Sequence, residues 1–81
     1  MNDFVYVVQM MRENGAVMGV HLAIFSELDK AERFVSDKHK YTFAGVSSIG
    51  YIYKNEYKQR VVIREVLVKW FIVKRRVKNV E

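Results

Sequence analysis

The feature that most constrains this chain is a pair of apolar, β-branched runs joined by Glu13-Asn14-Gly15-Ala16. Residues 4–12 are rich in valine and aromatics, and residues 17–25 return in the same style. Branching at Cβ favours the pleated strand over the helix. Asn-Gly accepts the positive φ angles of a type I′ turn, the tightest hairpin connection. With Asn14 and Gly15 as the loop, Met11 faces Met18, Gln9 faces Val20, Val7 faces Leu22 and Val5 faces Ile24. That face is nearly all aliphatic. The other, with Val8, Tyr6 and Phe4 opposite His21, Ala23 and Phe25, is also mostly apolar. A half-buried hairpin shows one polar face. Both sides of this one therefore call for a cover: the chain's own helix on one, and a curled C-terminal strand or a second copy on the other.

The helix comes immediately after. Ser26 is placed to cap it, Glu27 and Asp29 suit the positive end of its dipole, and Lys38, His39 and Lys40 suit the negative end. Leu28, Ala31, Phe34 and Val35 form one stripe, so an amphipathic helix is predicted over about residues 27–38, packed on the aliphatic hairpin face. Residues 41–50 mix Thr42, Gly45, Ser47, Ser48 and Gly50 and read as a loop. Residues 51–53 read as a short strand and 54–59 as a turn or hairpin tip. Residues 60–77 are dominated by valine and isoleucine and read as strand. The alternation slips near residues 66–68, so a bulge or a break is expected there, and a helix over residues 66–77 is the alternative. The fold class is α+β: an antiparallel β-sheet of the N-terminal hairpin and C-terminal strands, with one amphipathic helix on one face.

The 81 residues hold a single domain, with 75–81 as a charge-rich tail expected to be disordered. No apolar run reaches the ~18 residues of a membrane span, and Met1-Asn2-Asp3 lacks the basic start of a secretory signal. There is no cysteine, which excludes disulfides and thiolate metal sites and fits a reducing compartment such as cytoplasm. Charge is uneven: residues 1–37 carry a net −3 and residues 38–81 a net +8. Such asymmetry marks either a surface for an acidic partner or a solvated face that keeps a small domain soluble.

The order of signals resembles small ββαβ-type domains of unknown function from phage and bacterial genomes. The resemblance rests on Tyr6-Val7-Val8, on Phe25-Ser26 closing the second strand, on Lys30-Ala31-Glu32 in the helix, and on residues 63–68. It covers about three quarters of the chain and implies the ββαβ order, a phage or mobile-element origin and, with that, a host-cytoplasmic setting. It carries over no functional residues. The basic run Lys74-Arg75-Arg76-Val77-Lys78 lies outside the pattern.

No constellation for catalysis is visible. A triad needs a nucleophile, a histidine base and an orienting acid. Ser26 reads as a cap, Ser47 and Ser48 as loop, His21 as a packed or partly exposed structural strand residue and His39 as a helix-end cation. Two histidines 18 residues apart are a poor start for a metal site, and the four glycines do not fit a phosphate loop. Neither a cofactor nor an enzyme is expected. The C-terminal half interleaves cations with aromatics, and Tyr53, Tyr57, Lys58, Lys69, Trp70, Phe71, Lys74, Arg75 and Arg76 are the candidate interaction residues. Cations neutralise phosphates while exposed rings stack on bases. The expected function is a small non-enzymatic module that binds protein and forms a homodimer, with Trp70 or Phe71 at the interface; the alternative is nucleic-acid binding through the basic half.

Overall fold

The computed structural model describes residues 3–69. The chain runs β1 (Phe4–Met11), β2 (Val17–Phe25), α1 (Leu28–Arg33), a π-helical turn (Phe34–Lys38), β3 (Thr42–Ser47), β4 (Gly50–Lys54) and β5 (Arg60–Leu67). The five strands form one antiparallel sheet in the order β2-β1-β5-β4-β3. The α+β class is as the sequence predicts. The order is ββαβββ, two strands more than the resemblance implies.

Directly opposed residues share a face. Pairing therefore puts Tyr6, Val8 and Met10 with Phe25 and Ala23, with Ile63 and Val61, and, through these, with Tyr51 and Tyr53. The helix packs here. Val8, Val61, Ile63 and Tyr53 from the sheet meet Ala31 and Val35 from the helix, all buried, with Leu28 and Phe34 packed at the margin. This corrects the expectation that the helix would cover the face of Val5 and Val7. Phe25 ends β2 and points to the Val8 side, where its ring meets Phe34 at 5.3 Å. The chain enters the helix two residues later and lands over that side.

The helix starts one residue later than expected, with Glu27 rather than Ser26 at the N-cap position. Its second half widens to π geometry. Ser36 Oγ donates to Glu32 O at 2.6 Å, a local bond that competes with the helical ladder. Lys40 then takes left-handed backbone (φ 60°), and Tyr41 N–H closes onto Val35 O at 2.8 Å.

The first loop is not type I′. Arg12 N–H donates to Ala16 O and Gly15 N–H to Arg12 O, at 2.8 and 2.9 Å. Gly15 alone in the loop has positive φ (89°), while Asn14 Oδ1 accepts from Ala16 N–H at 3.0 Å. This is a three-residue loop ending in a left-handed glycine. Met11 pairs with Val17 rather than Met18, and two further shifts bring Val7 opposite Ile24 rather than Leu22. The buried Gln9 bridges the irregularity: its Nε2 donates to Met18 O at 2.9 Å and its Oε1 accepts from Arg64 Nη1 at 3.1 Å.

Residues 41–50, expected as loop, supply β3. Gly45 (φ 134°) sits at a register shift between Phe43 and Gly45. Gly50 (φ 145°) opens β4 where a Cβ would collide with Ile63 O. β5 ends at Leu67, within the zone where the alternation slips; Val68 N–H is bonded to Asp3 O at 2.8 Å, and Val68 and Lys69 take helical backbone. The remaining choice between strand and helix over 70–77, the tail at 75–81, and Trp70, Phe71, Lys74, Arg75 and Arg76 lie outside the described residues.

Candidate interaction surfaces

Much of the apolar surface left open lies on the two edge strands of the sheet. On the face away from the helix, Val7 is 2% exposed and Val62 0%. Val7 and Val62 are thus covered, as the apolar character of both hairpin faces requires. The exposed large side chains are Val20, Leu22 and Ile24 on the outer strand β2, Phe43 and Val46 on the outer strand β3, Phe4 and Leu67 paired at the ends of the inner strands β1 and β5, and Tyr57 in the β4–β5 loop.

β2 is the longer edge, nine residues, and holds no Asp, Glu, Lys or Arg. Natural edges are usually blunted with lysine, proline or a bulge. Only the last device is used here, and its register shifts leave Ala23, Ile24 and Phe25 in regular pairing with Val8, Val7 and Tyr6. Beside Leu22, between sheet and π-helical turn, lies a small, mostly apolar cavity of about 100 Å³ walled by Val8, Phe34, Val35, His39, Tyr41 and Val61.

β3 is shorter and differently surrounded. It begins beside the helix end and the β4–β5 loop, where an open cleft of about 490 Å³ has Lys40, Phe43, Lys54 and Tyr57 in its wall. Phe43 rests edge-on against the Tyr53 ring at 5.5 Å. Among the described residues, ion pairs join Lys30 to Glu27 and Arg33 to Asp29, and none involves Lys40, Lys54 or Lys58.

The expected site residues scatter. Tyr53 is buried, and its hydroxyl donates to Glu32 Oε2 at 3.0 Å. Burial first, and the Glu32 carboxylate second, push its pKa up to about 12. It is a core residue, not a stacking platform. Tyr57 and Lys58 share the exposed loop after β4, and Lys69 is exposed at the end of the described chain. The basic stripe is broken, since Arg60 donates to Arg12 O and Glu13 O and Arg64 to Gln9. His39 lies against the Phe34 ring at 4.5 Å at the helix end. Among the described residues no three His, Asp or Glu side chains converge, and no helix is long and apolar enough to cross a membrane.

Sequence reasoning missed the β2 edge, Lys40 and Phe43. The lack of charge from Val17 to Phe25 was the available signal for the edge. Comparison with family models, curated proteins and solved structures returned no match.

Proposed function

We propose that the protein is a non-enzymatic interaction module that works by binding protein, and that it pairs with a second copy along β2. The observation that carries this reading is the open, uncharged edge, on which Val20 is 67% exposed, Leu22 47% and Ile24 37%. Two copies at a net charge of +5 repel at most approaches. They do so least along a strand without charges. An antiparallel β2–β2 pair is self-complementary about a two-fold axis, and main-chain hydrogen bonds supply the affinity in such strand addition. The cavity beside Leu22 is the size of one aliphatic side chain and would receive one from the partner strand. From the sequence resemblance alone we add an accessory role in a phage or mobile element, exercised in the host cytoplasm.

Light scattering tests the pairing. At about 100 µM, where a micromolar interface is saturated, the protein should run at twice its 9.6 kDa. Leu22→Lys should run at the single-chain mass with an unchanged circular dichroism spectrum. A wild-type monomer at that concentration, or a dimer indifferent to Leu22→Lys, would defeat the proposal.

A further inference from the structure

The cleft beside β3 has a different chemistry from the β2 edge. Its volume of about 490 Å³ lies within the ~300–1,000 Å³ usual for small-molecule sites. Two exposed rings flank it, Phe43 at 54% and Tyr57 at 76% exposed. Lys40 and Lys54 lie in its wall, Lys58 adjoins Tyr57, and none of the three is neutralised in an ion pair among the described residues. Glu56 is the one acid in the wall.

The backbone adds an independent observation. Among the described residues, Lys40 and Lys58 are the two non-glycine residues with positive φ, at 60° and 65°. That conformation is disfavoured for a side-chain-bearing residue and is ordinarily left to glycine. Lys40 lines the cleft, and Lys58 follows Tyr57, which also lines it. The loop that presents Tyr57 is rigid: Asn55 Oδ1 accepts from Tyr57 N–H and Gln59 N–H at 2.9 Å each, and Asn55 Nδ2 donates to Gln59 Oε1 at 2.8 Å.

We propose that this cleft binds a nucleoside phosphate unit, with the base stacked on Tyr57 or Phe43 and the phosphate held by Lys40 and Lys54. The unit is presented either by single-stranded nucleic acid or by a free nucleotide. A ring that is 76% exposed on a braced loop loses little freedom when it stacks, and unpaired ammonium groups need not break an ion pair to meet a phosphate. Duplex DNA fits poorly, because its bases are already stacked and unavailable to the rings.

Fluorescence anisotropy of the full chain at low salt tests this with labelled oligothymidylate, labelled oligouridylate and a labelled blunt duplex. Single strands should bind, and binding should weaken with salt at a log–log slope of about −1.4 for two phosphates. Tyr57→Ala, and Lys40→Ala with Lys54→Ala, should each weaken binding about tenfold or more. All three positions are exposed, and unchanged thermal melts establish that these variants fold. Competition by unlabelled uridine monophosphate at matched phosphate concentration assigns the source: full displacement means a free nucleotide suffices, and none means the polymer is required. Three results would overturn the proposal: no binding of strands or nucleotide; a duplex bound as tightly as the single strand; or binding that survives the cleft substitutions and is lost on neutralising Lys74, Arg75, Arg76 and Lys78.

Discussion

The β1–β2 and β4–β5 hairpins are closed by the same loop and are otherwise unlike. In the first, Arg12 N–H meets Ala16 O and Gly15 N–H meets Arg12 O; in the second, Asn55 N–H meets Gln59 O and Lys58 N–H meets Asn55 O. Gly15 and Lys58 occupy the same left-handed position. Arg60 ties the two loops together by donating to Arg12 O and Glu13 O at 3.2 and 3.1 Å. Beyond the loops they diverge. β4 and β5 stay in one register from Lys54↔Arg60 to Tyr51↔Ile63, whereas β1 and β2 shift twice. A loop fixes the first pair only. The later pairs depend on side chains: β4 and β5 put Tyr53, Val61 and Ile63 into one core, while β2, an edge with little to pack against, bows around Gln9. The second contrast is chemical. One loop uses the residue its backbone prefers; the other places a lysine, next to the exposed Tyr57, in a conformation that glycine adopts more readily.

The largest expected effect comes from removing the bridge that lets β2 bow. Gln9→Ala leaves Met18 O and the Arg64 guanidinium without their partner in a buried setting, at a cost of about 1–3 kcal/mol. Urea unfolding measures it, and an unchanged midpoint would mean that the irregular register holds without Gln9. Next is Gly15→Val, which forces a β-branched residue to positive φ and should cost about 1 kcal/mol or more. The mirror substitution, Lys58→Gly, should raise stability by about 0.5–1 kcal/mol. If both loop substitutions destabilise, the two loops are not equivalent.

Much of this could be read in the residues, for reasons that also explain the failures. Asn14-Gly15 located the first hairpin because only a left-handed residue closes it, yet the dipeptide fits more than one loop, and a one-residue difference in the loop moves every later pair. The Leu28, Ala31, Phe34 and Val35 stripe located the helix because period 3.6 is hard to mimic. β3 escaped because its apolar residues do not alternate. Phe43 and Val46 stand three apart, yet both face the helix side, opposite Tyr53 and Tyr51, because the shift at Gly45 absorbs a residue. Tyr53 looked like an exposed aromatic in a basic region; it is buried among Ala31, Val35 and Val61, and its hydroxyl partner is Glu32, contacts too mixed in sequence distance to show in local pattern. The cleft draws on Lys40, Phe43, Lys54 and Tyr57 from the helix end, both flanking strands and a loop, and no spacing rule joins those.

A smaller effect separates the hairpins by pH. Tyr6 on β1 and Tyr53 on β4 each donate to a glutamate, Glu65 and Glu32, and burial followed by that hydrogen bond raises both pKa values, Tyr53 to about 12. Below pH 10, the ordinary tyrosine value, folded and unfolded chains both hold the Tyr53 proton and it adds no pH dependence. Between pH 10 and about 12 the unfolded chain has lost it and the folded chain keeps it, so stability falls as pH rises. Tyr53→Phe should flatten the urea midpoint across that window more than Tyr6→Phe does. Equal slopes would place the two tyrosines in equivalent settings.

The central claim is that β2, bowed, uncharged and open, is where two copies meet. The direct measurement is an isotope-filtered nuclear Overhauser experiment on a mixture of labelled and unlabelled protein, which reports only contacts between copies. Cross-peaks between copies among Val20, Leu22 and Ile24, lost in Leu22→Lys, are the predicted result. Contacts confined to other residues, or none in a sample concentrated enough to saturate a micromolar dimer, would contradict it.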